Sequence, residues 1–431
     1  MSIQTGNKTK EYLGISDRYE GACLNWQAPV VWDHAQGAEI WDVDGKHYID
    51  WTSGVLVANV GHAHPHLAEA IGRQAKRLLN TFDFPTPERL NLARKIVESM
   101  PPHLDKVFFI TTGAEGMDAA LRMVRRFTGK YEVLSFWGGF HGRTYGPMSL
   151  TGMPKIKKNF GPLLPGGILA PYPNCYRCPF ERSYPDCNMF CFDFMDQVVK
   201  MECTEGLAAV FVEPYQGTAG FVFPPPGFLK KLEAWARSKK ALLVLDEVQS
   251  SFGRTGTMWG MEHENLEPDI VVLGKGIGCG APIAAVVTRS EILSVLERGE
   301  MSSTNGGNPL CCAASLAVFE IFEKEKLVEK AAVDGAYLKE KLLKLKDKYK
   351  IIGDVRGMGM VLGIEFVKDR DTKEPAADVA RDVVLRCVEK GLMCGKLGMH
   401  GNVMRVAPPL VIPRDLLDKS IAILDEVLSE F

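Results

Sequence analysis

The residues between about 68 and 310 alternate between short apolar runs and amphipathic segments. The apolar runs are rich in β-branched side chains and read VFFITT, EVLSF, AAVFVEPY, LLVLDEV and DIVVLGK. The amphipathic segments, such as LAEAIGRQAKRLLN and ERLNLARKIVESM, place apolar residues at helical spacing. Strands that are apolar at nearly every position are buried on both faces, as in sheets whose parallel strands are joined by helices. The pattern therefore predicts an α/β fold with a mostly parallel sheet covered by helices.

Two further regions flank this alternating part. On the N-terminal side, AEIWDVDGKHYIDW alternates around Asp44 and Gly45, which predicts a β-arm with a hairpin. On the C-terminal side, two long amphipathic helices precede the strand-like runs GMGMVLGIEFV and NVMRVAPPLVI and a closing helix. Because 431 residues exceed the size of one hydrophobic core, we expect two domains. We predict a large domain over 61–310 and a small α/β domain over 311–431, with residues 1–60 as the arm and hairpin that complete it.

Composition and charge exclude several classes of partner. The formal net charge is −2 and no basic block stands out, whereas nucleic-acid binding needs clustered Lys and Arg. No apolar run approaches the roughly 20 residues that span a bilayer. The N-terminal segment lacks the apolar stretch of a secretory signal, and most of the cysteines are scattered, as in a reducing compartment. We therefore expect a cytoplasmic protein that binds neither nucleic acid nor membranes.

Lys275 lies directly after an apolar strand, between glycines, in the run DIVVLGKGIGCGAP. Glycines let the backbone approach a ligand closely, and ligands of open α/β sheets bind beyond the carboxyl ends of the strands. Asp246 ends another apolar strand, in LLVLDEVQSSFGRTG. The pair suits a pyridine cofactor, whose ring nitrogen stays protonated beside a carboxylate. Each residue alone has an ordinary alternative, a surface lysine or a helix-capping aspartate, but together they favour the cofactor.

Two short motifs are suited to a phosphate group. Gly113 and Ala114 lie between the strand VFFITT and the helical segment MDAALRMVRRF, where backbone N–H groups and the helix dipole attract anions. Thr304 precedes two glycines in SSTNGGNP and offers a hydroxyl on a tight loop. A plain strand-to-helix turn and a simple loop are the alternatives for these two motifs.

Seven motifs together resemble the class III aminotransferases, the family of the 4-aminobutyrate, ornithine and acetylornithine aminotransferases. In chain order they are TTGAEG, FHGRT, EPYQG, LDEVQSSFGRTG, LGKGIGCGAPIAAV, STNGGNP and MRVAPPL. The resemblance extends from about residue 35 to 425. It implies the type I pyridoxal-phosphate fold, in which 61–310 binds the cofactor, and a homodimer or a tetramer with sites at the subunit interface.

The resemblance assigns the residues that hold pyridoxal 5'-phosphate. Lys275 is expected to carry the cofactor as a Schiff base and to move the proton of the substrate's α-carbon, and Asp246 to pair with the ring nitrogen. The other cofactor contacts that it implies are Gln249 at the ring hydroxyl, Phe140 stacked on the ring with His141 beside it, and Gly113, Ala114 and the partner subunit's Thr304 at the phosphate.

The resemblance also implies a substrate pocket formed by Val55, Arg143, Glu213 and Arg405. The two arginines are expected to bind carboxylates through their planar forks. In ω-aminotransferases of the family, the counterpart of Glu213 masks the counterpart of Arg405 while an ω-amino acid reacts. A surface salt bridge for Arg405 and a turn residue for Glu213 are the alternatives.

Three residues depart from the family's pattern. Met117 and Asp118 replace the usual Asn-Glu pair after the phosphate turn, and Asn305 stands where an aromatic residue is common. We expect these changes to alter the rim of the substrate pocket.

Four cysteines lie close together, at Cys175, Cys178, Cys187 and Cys191. Their C-x2-C-x8-C-x3-C spacing is typical of ligands for zinc or an iron–sulfur cluster. Reduced thiols or disulfides in a family-specific loop are the alternative.

The sequence therefore predicts a pyridoxal-phosphate-dependent aminotransferase that moves an amino group to a 2-oxo acid. The donor is expected to carry a second anionic group or an ω-amine, and an ω-amino acid such as 4-aminobutyrate is favoured. The occurrence of Glu213 with the two arginines favours transamination, because a racemase has less need to accommodate two differently shaped substrates. An amino-acid racemase or epimerase of the same fold is the main alternative, since it needs the same lysine and aspartate, and decarboxylation is a third.

Overall fold

The computed structural model describes residues 5–431. Its helices are α1 Asn7–Tyr19, α2 Ser53–Leu56, α3 Pro65–Ala75, α4 Pro87–Glu98, α5 Gly113–Thr128, α6 Tyr145–Leu150, α7 Pro154–Lys157, α8 Cys191–Glu202, α9 Phe228–Ser238, α10 Ser290–Ser294, α11 Pro309–Glu325, α12 Leu327–Lys348, α13 Ala377–Glu389 and α14 Arg414–Leu428. Short 3₁₀ helices span Gly260–Glu264 and Lys275–Ile277. Across this described part of the chain, none of the helices combines the length and apolar character that crossing a membrane requires.

The strands are β1 Trp32–Gln36, β2 Glu39–Asp42, β3 His47–Asp50, β4 Lys106–Ile110, β5 Val133–Phe136, β6 Gly167–Ala170, β7 Ala209–Val212, β8 Leu242–Asp246, β9 Ile270–Leu273, β10 Ala284–Thr288, β11 Ile352–Met358, β12 Val361–Phe366, β13 Leu392–Met393, β14 Gly395–Leu397 and β15 Val403–Val406. The five apolar runs that predicted buried strands form β4, β5, β7, β8 and β9.

The chain separates into two compact units. One contains the residues up to Pro65, a short return at Gly253–Gly256 and Glu325–Phe431, and the other contains His66–Phe252 and Thr257–Lys324. The chain enters the C-terminal part of the smaller unit at Glu325, at the end of α11. This boundary is later than the one at residue 310 that the sequence predicted. Phe319 and Phe322 of α11 pack edge-on against Phe252 at ring-centroid distances of 5.2 and 6.0 Å, which ties this helix to the larger unit.

The larger unit is organised by a seven-stranded sheet in the order β4-β10-β9-β8-β7-β5-β6. Only β10 runs against its neighbours, so the prediction of a mostly parallel sheet is confirmed. Helix α5 buries Met117, Leu121 and Val124 in the core that also contains Val244 and Val272 of the sheet. Burial on both faces explains why these strands are apolar at nearly every position.

The smaller unit contains two four-stranded sheets. In the first, β2 and β3 form the predicted hairpin around Gly45, and β3 pairs in parallel with β13, so the N-terminal arm completes this unit. In the second, the run GMGMVLGIEFV supplies the end of β11 and all of β12, which is a hairpin rather than one strand. Gly359 makes this turn at a φ of 52°, beside the backbone of Thr255, where a side chain would clash.

Helix α1 is a feature that the sequence did not predict, since the N-terminal stretch was interpreted only as a β-arm. Its N-cap, Gly6, has no side chain to satisfy the first backbone N–H groups. Asp44 of the hairpin supplies this cap instead, because its carboxylate accepts from Lys8 N at 3.1 Å and from Thr9 N at 3.0 Å. A cap provided from 35 residues away leaves no local signal.

Arg254 is the buried polar centre of the smaller unit. The side chain is 0% exposed and donates to the carbonyls of Met360 and Pro408 at 2.9 and 2.7 Å. It also donates to Asn59 Oδ1 at 2.7 Å. This one side chain therefore links the N-terminal, return and C-terminal segments of the unit.

We predict that Arg254→Ala lowers the free energy of unfolding by at least about 2 kcal/mol, because it leaves buried acceptors unsatisfied and opens a cavity. Urea titration followed by circular dichroism measures this loss. The control is Arg126→Ala, whose exposed side chain lies 3.7 Å from Glu300 and should change stability by less than about 1 kcal/mol. Equal stability losses in the two variants would contradict the role of Arg254.

Candidate active site

Five loops of the larger unit leave the same edge of the sheet. They follow the carboxyl ends of β4, β5, β7, β8 and β9, which all run in one direction. The residues that the motifs singled out lie in these loops or directly at their ends, namely Gly113, Phe140, Glu213, Asp246 and Lys275. Parallel topology thus gathers positions that are far apart in the chain.

Val248 shows how closely three of these loops approach one another. A Cβ atom added to Gly113 would lie 2.8 Å from Val248 Cγ1, and one added to Gly274 would lie 3.0 Å from the same atom. The predicted phosphate turn, the loop after Asp246 and the loop of Lys275 therefore meet at Val248. Sequence reasoning missed this residue because an apolar valine carries no chemical signal.

Asp246 and His141 form a buried pair at the centre of this edge. Their exposed fractions are 6% and 4%, and His141 Nδ1 lies 2.8 Å from Asp246 Oδ2. Burial by itself would lower the pKa of His141, but the hydrogen bond and charge of Asp246 outweigh it, and the net shift is upward. His141 Nε2 lies 3.1 Å from Ser135 Oγ, which fixes the ring from its other side. The pair therefore favours a cationic imidazole beside the carboxylate of Asp246.

Glu213 is a second buried carboxyl group in the same unit. Its two oxygens accept from the backbone N–H groups of Phe140 and Gly217, each at 2.9 Å. Burial raises the pKa of Glu213 to about 7; His141 opposes this shift and Asp246 adds to it. Glu213 therefore joins the FHGRT loop to the EPYQG loop.

Lys275 has a strained backbone. Its φ is 48°, in the left-handed region that residues with a side chain rarely adopt, and it begins the 3₁₀ turn after β9. Such strain costs about 1–3 kcal/mol and clusters at functional sites, where the surrounding structure holds it in place. The half-buried lysine thus has the backbone geometry expected of a functional residue.

The residues present fit pyridoxal phosphate. Gln249 Oε1 is buried and has no hydrogen-bond partner within residues 5–431, so this polar atom is available to a ligand. Asp246, which belongs to the same unit as Gln249, has a carboxylate that can pair with the ring nitrogen of the cofactor. Helix α5 begins at Gly113 behind a capping box formed by Thr112 and Glu115, and the first N–H groups of a helix attract phosphate.

Thr304 lies on an exposed loop of the larger unit. Asn80 Nδ2 donates to the carbonyl of Thr304 and to Asn305 Oδ1, both at 2.8 Å. Asn305, one of the departures from the family's pattern, therefore stabilises this loop. The contact of Thr304 with a phosphate of the partner subunit stays a prediction.

The predicted substrate residues are divided between the units. Arg143 is exposed and its guanidinium carbon lies 5.7 Å from the centre of the Phe140 ring. Val55 and Arg405 belong to the smaller unit, where both line a cavity of about 520 Å³. Their roles toward substrate stay predictions.

The two departures after the phosphate turn have different surroundings. Met117 is fully buried in the core of the sheet, so the expectation that it alters the rim of the pocket is wrong. Asp118 Oδ2 accepts from Thr144 Oγ1 at 2.7 Å and steadies the FHGRT loop.

The four clustered cysteines are free thiols that line one small cavity. Burial raises the pKa of Cys191 to about 11 and also raises that of Cys175. Over residues 5–431, no group of three or more His, Cys, Asp or Glu side chains is arranged to hold a metal ion. The structure therefore does not support the predicted zinc or iron–sulfur site.

Comparison with known proteins agrees with the motifs. The family profile Aminotransferase class-III matches residues 23–428. The chain is 39% identical to a leucine/methionine racemase of Thermococcus litoralis, over 94% of this chain and 91% of that protein. It is 35% identical to an isoleucine 2-epimerase of Lentilactobacillus buchneri, over 98% and 95% of the two chains.

Aminotransferases are similar to the chain to nearly the same degree. A probable 4-aminobutyrate aminotransferase of Bacillus subtilis is 36% identical, over 90% of this chain and 91% of that one. A crystal structure of a Bacillus anthracis aminotransferase superposes with a TM-score of 0.92 at 31% identity, over 99% and 100% of the two chains.

The chain belongs to the class III aminotransferase family and has its type I α/β fold. The resemblance stated from the motifs is thereby confirmed. Pyridoxal phosphate is the cofactor expected for this family, and the buried edge around Asp246 fits it.

We predict that Glu213 makes stability depend on pH. Its pKa of about 7 exceeds its ordinary value of 4.5, so between these values the native state holds a proton that the unfolded chain has released. Stability should therefore fall as pH rises through this window, by on the order of 1 kcal/mol or more. Glu213→Gln should lack this component, which urea titrations at about pH 5 and about pH 8 measure. The same loss of stability in wild type and variant would contradict the raised pKa.

Proposed function

We propose that the protein is a pyridoxal-phosphate-dependent aminotransferase, which moves the amino group of an amino acid to a 2-oxo acid. The observation that supports this most strongly is the buried Asp246–His141 pair on the sheet edge that also bears Lys275. Membership in the class III family supports the same reaction.

The bound cofactor supplies an electron sink for the electron pair released when the substrate's α-carbon loses its proton. Asp246 would pair with the protonated ring nitrogen, and His141 orients the carboxylate. Lys275 Nζ would take the proton from the substrate's α-carbon and deliver it to the cofactor, a role for which a partly desolvated lysine is suited. Gln249 would contact the ring hydroxyl through Oε1 and so orient the ring.

In the sequence, Glu213 bears on whether the α-amino or the ω-amino group of the donor reacts, and the structure weakens that argument. An ω-amino donor was favoured on the premise that Glu213 masks Arg405. The carboxylate oxygens of Glu213 accept hydrogen bonds from backbone N–H groups of their own unit, which already satisfy one site on each oxygen. A carboxylate oxygen accepts a second hydrogen bond, so these contacts alone do not decide the donor. We propose reaction at an α-amino group because two relatives act, by their names, on leucine, methionine and isoleucine, with the ω-amino donor as the alternative.

A racemase or epimerase is the second candidate, because the two relatives just named with that activity act, by their names, on leucine, methionine and isoleucine. The large and mainly apolar cavity beside Arg405 suits such side chains. Racemisation differs in returning the proton to the α-carbon, so that no 2-oxo acid is consumed.

We predict that Lys275→Ala abolishes turnover, because no other group is proposed to move the α-carbon proton. The matched control is Lys200→Ala, which removes an exposed lysine of α8 and should retain wild-type rates. Single-turnover absorbance changes of the bound cofactor with an amino acid provide the measurement. A Lys275→Ala protein that reacts at the wild-type rate would overturn the assignment.

We predict that Asp246→Asn slows the reaction by about two to four orders of magnitude while some cofactor still binds, because the ring nitrogen loses its ionic partner. Stopped-flow kinetics at saturating donor measure the rate. Near-wild-type rates would remove Asp246 from this role.

A third experiment separates the two candidate reactions. Purified enzyme is incubated with one enantiomer of an amino acid, with and without a 2-oxo acid, and the products are resolved by chiral chromatography. Amino transfer predicts more than one equivalent of product per enzyme site only when the 2-oxo acid is present. Interconversion of the enantiomers without it would establish the racemase instead.

A further inference from the structure

The cavity of the smaller unit has mainly apolar walls. Helix α1 contributes Tyr12, Ile15 and Tyr19, and the following segment contributes Trp26 and Trp32. Its volume of about 520 Å³ falls within the range of small-molecule sites. Such walls favour an apolar group that leaves water.

Arg405 is the buried charge in this lining. Its side chain is 8% exposed, and its Nε atom has no hydrogen-bond partner in the described residues 5–431. Burial lowers the pKa of Arg405 to about 10, with Asp50 opposing the shift, so the guanidinium stays protonated at neutral pH. A buried cation with an unpartnered N–H requires an anion, and its planar fork suits a carboxylate.

The nearby carboxylate is engaged elsewhere. Asp50 Oδ1 accepts from the backbone N–H and the hydroxyl of Thr52 at 2.6 and 2.7 Å, and Asp50 Oδ2 lies 2.8 Å from His62 Nε2. The remaining charged lining residue, Glu20, is exposed and accepts a hydrogen bond from Ser16. An exposed carboxylate contributes little to binding a cation.

A strained turn forms another wall of the cavity. Gly54 and Val55 have φ values of 57° and 67°, and Val55 is β-branched, for which this conformation is a genuine outlier. Ser53 Oγ donates to the carbonyl of Ala407 at 2.7 Å and helps to hold the turn. Strain of this kind clusters at ligand-binding sites.

We propose that this cavity selects substrates with a large apolar side chain, the carboxylate binding Arg405 and the side chain packing against Tyr12, Trp26 and Val55. The substrate class is therefore an α-amino acid such as leucine or methionine, with its 2-oxo acid. A second carboxylate or an ω-ammonium group would lose water among apolar walls without a buried partner, which is costly. The expected reaction of these amino acids rests on the proposed function. The expected preference in binding rests on the cavity alone.

The binding preference is tested without turnover, by isothermal titration calorimetry of the holoenzyme with 4-methylpentanoate and with glutarate. We expect 4-methylpentanoate to bind at least about tenfold more tightly, and Arg405→Gln to remove this binding. Trp26→Ala should weaken it several-fold, whereas Leu24→Ala should not. These two residues are matched controls, since Trp26 and Leu24 are 47% and 52% exposed and only Trp26 lines the cavity. Tighter binding of glutarate, or equal effects of the two alanine variants, would overturn the proposal.

Turnover then separates this inference from the proposed function. We expect kcat/KM for leucine or methionine to exceed that for glutamate and 4-aminobutyrate by at least about tenfold. Preference for glutamate or 4-aminobutyrate would overturn the substrate class and leave the aminotransferase intact. Tight binding of 4-methylpentanoate without a reaction of any amino acid would sustain the cavity's preference and contradict the proposed function.

Discussion

The chemistry proposed for this protein depends on one carboxylate that lies in a buried position. Asp246 ends a strand that is buried along its whole length, where desolvation disfavours charge. His141 offsets that cost through a hydrogen bond of 2.8 Å, and Ser135 holds the imidazole from behind. A carboxylate at the end of β8 is the partner that a protonated pyridine nitrogen needs. The other proposed roles, from proton movement by Lys275 to anchoring by Gln249, presuppose this pair.

The sheet explains how such a site is assembled from distant parts of the chain. Parallel strands bring their carboxyl ends to one edge, so each loop needs only a few residues to reach its neighbours. Val248 and the glycines packed against it set the spacing of three loops, and Glu213 ties two others through backbone N–H groups. In the smaller unit, distant segments are held together by one buried side chain, because Arg254 donates to carbonyls from both of them. Its cavity combines apolar walls with the buried Arg405, which we relate to the choice of substrate.

The sequence was sufficient to predict the parts of the structure that have local or motif signals. Buried strands are continuous apolar runs, and Lys275 and Asp246 belong to motifs whose order matches a family. Long-range contacts had no such signal: Asp44 caps α1 from another element, and Val248 is an ordinary valine until its neighbours are known. The cysteine spacing suggested a metal site that the arrangement of the thiols does not support, because spacing alone does not determine where side chains point. The same limit explains why Met117, expected at the rim, lies in the core.

The central claim is that the Asp246–His141 pair keeps the cofactor's ring nitrogen protonated. The most direct measurement is the ¹⁵N chemical shift of that nitrogen in enzyme reconstituted with ¹⁵N-labelled pyridoxal phosphate, recorded across the neutral pH range. The account predicts the shift of a protonated pyridine at every pH in the wild type, and its loss in Asp246→Asn. A wild-type spectrum typical of an unprotonated ring nitrogen at neutral pH would contradict it.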